Sequence, residues 1–205
     1  MARRTKEEAE QTRKDILQAA LNMFCEKGYT ATTLDEIAKS INLTKGAVYW
    51  YFRNKPDILK ALMVEDFEKT RAQLDSFMTP PETLADLKRH FMFLAEKVDT
   101  DANFRKFLYF LSLQMEWSVG LINSFHDVIE KLNHRAISTI ENALSASQKC
   151  GQIASNLDLK KTAYTIHCMW YGLLLSKLQH QENSLKETFD YSFDFIITAL
   201  TCRKD

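Results

Sequence analysis

The sequence predicts an all-α protein of about nine helices, with an N-terminal three-helix, helix-turn-helix domain followed by a larger helical part. Three observations carry this. Gly and Pro are scarce, five and three in 205 residues, so few positions force the backbone out of a helix. Apolar residues recur at helical spacing almost throughout, and no alternating strand pattern stands out. Capping sequences punctuate the series at intervals that a helix would fill. An apolar content of 45% is ample for a core at this length.

Helix one runs from Lys6 to Lys27, with Ile16, Leu17, Ala20, Leu21 and Phe24 at helical spacing and Gly28 where a left-handed C-terminal residue is expected. Thr33-Leu-Asp-Glu36 is a capping box for a short helix two, reaching about Ser40. Asn42 can take the left-handed conformation of a sharp turn, and Thr44 can cap helix three, from about Lys45 to Phe52. Asn54 and Pro56 open helix four, which carries Ile58, Leu59, Leu62, Met63 and Phe67 to about Phe77, and Pro80-Pro81 ends it. Helix five comes next with Leu84, Leu87, Phe91, Leu94 and Val98, and helix six with Phe104, Phe107, Leu108 and Leu111. Helix seven holds Ile122, Phe125, Ile129, Leu132, Ala136, Ile140 and Leu144 and stops near Gly151. Asp158 can cap helix eight, to about Gln179, and Ser184-Leu-Lys-Glu187 is a second capping box opening helix nine.

Several function classes are disfavoured. Cys25, Cys150, Cys168 and Cys202 show no CxxC or Cys/His ligand spacing and no apolar signal segment opens the chain, which together read as a reduced, cytosolic protein with no metal and no cofactor. The longest apolar stretches, such as Met169–Leu175, fall far short of the roughly 20 residues a membrane span needs. His126, His134, His167 and Cys168 are scattered, with no nucleophile, base and oxyanion donor in view, so the chain reads as not an enzyme. Net charge is zero, but residues 1–55 carry ten Lys/Arg against seven Asp/Glu, which makes the N-terminal quarter the basic part.

Helices two and three, joined by a tight turn, have the pattern of a helix-turn-helix, whose second helix enters the DNA major groove. Helical periodicity divides "KGAVYWYF". Val48 and Phe52 share a face that must point at helices one and two, while Gly46 and Trp50 fall on the opposite side with Tyr49 and Tyr51 flanking. So short a helix cannot bury three aromatics. Tyr hydroxyls, the indole N–H, Lys45 and Lys55 suit phosphates, and Gly46 lets the backbone amides approach the sugar-phosphate chain. Packing of these aromatics within the protein is the competing reading. Arg3 and Arg4 have two readings as well, as an arm that reaches DNA or as a solvated pair.

On these residues, positions 1 to about 60 resemble the DNA-binding region of the TetR family of bacterial repressors, especially its AcrR-like efflux regulators. The match lies in "MARRTKEEAEQTRKDILQAAL", in "TTLDEIAKSINLTKGAVYWYFRNKPDIL" and in the chain length. The resemblance implies DNA contacts at Thr33, Thr44, Lys45, Gly46, Tyr49, Trp50, Tyr51 and Lys55. Two positions depart from the pattern: Asn42 stands where Gly is common, and Tyr51 where His is frequent.

The resemblance also implies an organisation: a DNA-binding domain over 1–55, helix four (56–78) as link, and a ligand-binding and dimerisation domain over 79–205. Its hydrophobic, often cationic, small effector would meet Phe91, Phe107, Phe110, Glu116, Trp117 and Trp170, a buried Glu116 pairing with the cation. For each aromatic the alternative is plain core, and for Glu116 a surface or capping role. Helices eight and nine, apolar over wide arcs, would form a homodimer that reads a near-palindromic operator with half-sites about 34–36 Å apart or a multiple of that. The function implied is a repressor of efflux genes in the bacterial cytosol, associated with the nucleoid. The alternative is a DNA-binding regulator with no small-molecule ligand, controlled by a protein partner.

Overall fold

A computed structural model describes residues 5–180 and 183–201, and among them are nine α-helices, one π-helical segment and no strand. The helices are α1 (Lys6–Lys27), α2 (Leu34–Ser40), α3 (Lys45–Tyr51), α4 (Lys55–Phe77), α5 (Leu84–Thr100), α6 (Ala102–Tyr109), α7 (Val119–Lys149), α8 (Leu159–Gln179) and α9 (Leu185–Thr201), and Phe110–Gln114 is π-helical. Arg3, Arg4 and Cys202 lie outside the described residues.

The chain divides into two compact units that are discontinuous in sequence. One runs up to Lys69 and includes Lys106–Val128, and the other comprises Thr70–Arg105 and the chain from Ile129 onward. This differs from the division at residues 55 and 78 expected from sequence. Aromatic packing gives the reason: Phe110 stacks on Phe24 of α1 at 5.5 Å and Phe107 meets Phe67 of α4 at 5.8 Å, which ties the end of α6 to the N-terminal helices.

In the first unit, Ile16, Leu17, Ala20, Leu21 and Phe24 of α1 are buried, as are Ile37 and Ala38 of α2 and Val48 of α3. The α2–α3 turn closes through Leu43 N–H donating to the Ala38 carbonyl at 2.8 Å, with Asn42 at φ 55°. Gly28 has the expected positive φ, 88°, but its ψ of 156° is not that of a left-handed helical residue, and its N–H bonds the Phe24 carbonyl.

In the second unit, Leu84, Leu87 and Phe91 of α5 form a core with Ile140, Ala143 and Leu144 of α7, Ala163 and Ile166 of α8, and Phe189 and Phe193 of α9. The start of α9 departs from the sequence reading. Ser184 Oγ accepts from Glu187 N–H as expected, but the carboxylate that completes the cap is Asp99, at the end of α5. It accepts from the backbone N–H groups of Leu185 and Lys186, from Ser184 Oγ and from Lys177, at 3.0–3.2 Å. No local motif reveals an acceptor so distant in sequence. Burial works to raise the Asp99 pKa, but the two backbone N–H groups, Lys177 and Ser184 outweigh it and hold the carboxyl below its ordinary value.

Replacing Asp99 with Ala is expected to cost about 2–4 kcal/mol, measured by urea unfolding, because it removes charge-assisted bonds and leaves Lys177 without its carboxylate. Since the folded pKa is depressed, this stabilisation is complete above the ordinary value of 3.8 and is lost as pH falls through the lower folded value. Below 3.8 the gap between parent and Asp99→Ala therefore narrows.

Candidate nucleic-acid interface

α3 has seven residues, and its two sides differ sharply. Thr44 caps it, the hydroxyl accepting from Ala47 N–H at 3.2 Å. Val48 is 0% exposed and Phe52, just after the helix, 5%. On the other side Lys45, Gly46, Tyr49 and Trp50 are exposed, Trp50 at 75%. Tyr51 is half-buried and meets the Trp50 ring edge-on at 4.6 Å. The Lys45 ammonium lies 5.7 Å from the centre of the Tyr49 ring. Among the described residues, a Cβ at Gly46 would meet nothing within 4 Å, so no contact with them requires a glycine there.

Lys45, Gly46, Tyr49, Trp50 and Tyr51, with Thr44 at the entrance, thus form one outward face. Two other sequence candidates have duties inside the protein. Thr33 is the N-cap of α2, its hydroxyl accepting from Glu36 N–H and donating to the Glu36 carboxylate. Hydrogen bonds from Lys27 and then from Thr33 bring the Glu36 pKa down to about 2. Lys55, expected to neutralise a phosphate, instead turns its ammonium inward. It donates to the carbonyls of Tyr29 at 2.6 Å and Thr30 at 2.9 Å and sits 4.8 Å from the centre of the Tyr29 ring. Desolvation lowers its pKa, since turning the ammonium toward the α1–α2 loop takes it partly out of water. Sequence alone misses this because the acceptors are carbonyls 26 and 25 residues earlier.

The six effector candidates fall in different units. Phe91 and Trp170 are together in the second, ring centres 5.1 Å apart, with Phe189 at 5.1 Å from Phe91 and Phe193 beside it. Phe189 and Phe193, both on α9, complete this aromatic cluster, and their four-residue spacing is the sequence signal for a shared face. Phe107, Phe110, Glu116 and Trp117 belong to the first unit. Phe107 and Phe110 are fully buried there, and Trp117 donates its indole N–H to the Leu111 carbonyl at 3.1 Å and packs edge-on against Phe125. Glu116 corrects the expectation of a buried charge: it is exposed and accepts from the Thr30 hydroxyl at 3.2 Å. The cause is local. After the π-helical segment the backbone becomes extended at Met115 (φ −73°, ψ 121°), so "QMEW" is not the helical turn that periodicity suggests.

Among the described residues no cluster of three His, Cys, Asp or Glu is placed to hold a metal ion, and no helix is long and apolar enough to cross a membrane. A short capped helix projecting aromatic, basic and glycine positions from a helix-turn-helix defines a DNA-binding regulator. Residues 16–62 match the bacterial regulatory proteins of the tetR family, and residues 82–197 match the C-terminal region of MAATS-type transcriptional repressors. The chain belongs to the TetR family and is of its AcrR type. It is 28% identical to the transcriptional regulator AcrR of Shigella flexneri, covering 98% of this chain and 95% of that protein. It is 30% identical to the regulator SrpR of Pseudomonas putida, covering 89% and 82%. Among solved structures, a complex of SmeT with triclosan aligns with a TM-score of 0.76 at 26% identity over 92% of this chain and 91% of that one. SmeT is the repressor of the Stenotrophomonas maltophilia multidrug efflux pump SmeDEF.

Replacing Lys55 with Met is expected to cost about 1.5–3 kcal/mol in thermal or urea unfolding, because the Tyr29 and Thr30 carbonyls lose a charged donor. The slope of DNA affinity against salt should stay unchanged, since the ammonium is engaged with these two carbonyls.

Proposed function

We propose that the chain is an effector-responsive dimeric repressor that reads a near-palindromic operator through the outward face of α3 and controls efflux genes in the bacterial cytoplasm. The observation that carries this is Trp50, three-quarters exposed on a helix whose opposite side is fully buried. Large aromatics are costly to leave in water, and the Trp50 face also offers Lys45, Tyr hydroxyls and an unshielded Gly46 amide. Tyr49, Trp50, Tyr51 and Lys45 contact phosphates and base edges, while Thr44 and Gly46 present the start of the helix to the sugar-phosphate chain. Thr33 and Lys55 serve as supports for that face.

The second copy docks on α8 and α9. Tyr164, Cys168 and Tyr171 are exposed along one side of α8, and Tyr191 and Phe195 along one side of α9, at i, i+4 and i+7 or i, i+4 spacing. These two aromatic stripes suit an isologous helical interface. The Phe91, Trp170, Phe189 and Phe193 cluster supports effector binding in the second unit, as does the SmeT complex with triclosan. The side chains of this cluster are apolar and aromatic, which suits a hydrophobic effector and gives a cationic one ring faces to meet. Effector binding favours a state in which α4, whose two ends belong to different units, no longer holds α3 for DNA.

Fragments of the organism's genome retained by the purified protein should share a near-palindromic sequence, and affinity for it should fall steeply between about 50 and 200 mM salt. Trp50→Ala should weaken that binding by about 1–3 kcal/mol without altering the unfolding temperature, whereas salt-independent binding would contradict the reading. A Tyr191→Glu/Phe195→Glu variant should sediment as a monomer where the parent sediments as a dimer.

A further inference from the structure

α6 begins in the second unit and ends in the first. At its beginning Arg105 Nη1 donates to the carbonyls of Val98 at 2.7 Å and Asp99 at 2.9 Å, at the end of α5. At its far end the helix widens: Met115 N–H bonds the carbonyl of Phe110, five residues back, at 2.8 Å. A π turn holds one residue more than an α turn and persists only where its surroundings favour it.

Here the surroundings are α1 and the α1–α2 loop. Phe110 stacks on Phe24, Lys106 Nζ donates to Asn22 Oδ1 at 2.8 Å, and Gln114 Nε2 donates to the Cys25 carbonyl at 3.3 Å. Thr30, in the loop, donates to Glu116, while Lys55 holds the same loop through its carbonyls. Three residues beyond Thr30, Thr33 caps α2, the first helix of the helix-turn-helix. The π register leaves one polar atom unsatisfied: Gln114 Oε1 is buried without a hydrogen-bond partner. A second register, shifted by one residue, would rotate the backbone beyond Gln114 by about 100° and break the Gln114–Cys25 and Thr30–Glu116 contacts together.

We propose that Phe110–Gln114 is a two-register element, and that Gln114 and Thr30 are positioning residues through which its π register holds the helix-turn-helix ready for DNA. This rests on the reading of the chain as a DNA-binding regulator, and it adds a route through α1 and the α1–α2 loop to the one through α4. Registers that differ in DNA affinity are coupled to DNA by the same factor in both directions.

The test compares three full-length proteins: the parent, a deletion of Ser112, which removes the extra residue of the π turn, and Thr30→Val/Gln114→Met. Fluorescence anisotropy reads binding to a retained operator fragment and to unrelated DNA of equal length, with circular dichroism and sedimentation monitoring fold and mass. The deletion is expected to weaken operator binding by about tenfold or more, and the double variant by about threefold or more, with binding to unrelated DNA unchanged. If the deletion variant does not fold, the double variant decides. Operator affinity equal to the parent's, or an equal loss on both DNAs, overturns the proposal while leaving the regulator reading intact. A parent that retains no DNA sequence selectively overturns that reading and this inference with it.

Discussion

The burial of Val48 and Phe52 is the constraint on which the rest depends. A seven-residue helix has no stability of its own in water, so the order of α3 is supplied by the groups that hold its inner side. Those two side chains supply it together with the Thr44 cap, the Leu43-to-Ala38 hydrogen bond and the left-handed Asn42. Around Phe52 the Arg13 guanidinium lies 5.5 Å from the ring centre and also pairs with Glu65 of α4, which links α1, α3 and α4. Because the inner side is satisfied within the protein, Lys45, Gly46, Tyr49 and Trp50 are left to face outward.

The range of each interaction decides how legible it is in the sequence. Most helices and caps and the two-sided pattern of α3 are written in neighbouring residues, and the Thr33–Glu36 capping box, the Asp158 cap and the Asn42 turn stand where the local pattern puts them. The roles of Lys55, Glu116 and Asp99 rest on partners 25 to 87 residues away, which no local pattern encodes. The π-helical segment is hidden for another reason. Phe107, Leu108 and Leu111 fit an ordinary helix, and the wider register depends on Phe24 and Cys25 of α1.

The aromatic residues illustrate why composition alone does not locate a site. Phe91, Trp170, Phe107, Phe110 and Trp117 look alike in the sequence, yet they support two cores in two units. In the first, Phe24, Tyr29 and Phe110 pack at 5.1 and 5.5 Å and join α1 and the α1–α2 loop to the π-helical segment, in the unit that carries α3. In the second, Phe91, Trp170, Phe189 and Phe193 join α5, α8 and α9, and Asp99 fixes the start of α9 to the end of α5.

The central claim is that the outward face of α3 meets DNA, and the three tryptophans allow a direct measurement because each occupies a different setting: Trp50 on α3, Trp117 beside Phe125, and Trp170 beside Phe91. Protein labelled with 5-fluorotryptophan should give three assignable fluorine resonances. Titration with the selected operator should shift or broaden the Trp50 resonance most, in proportion to bound DNA, and high salt should reverse it. A Trp50 resonance that stays fixed while the operator is bound would contradict the account.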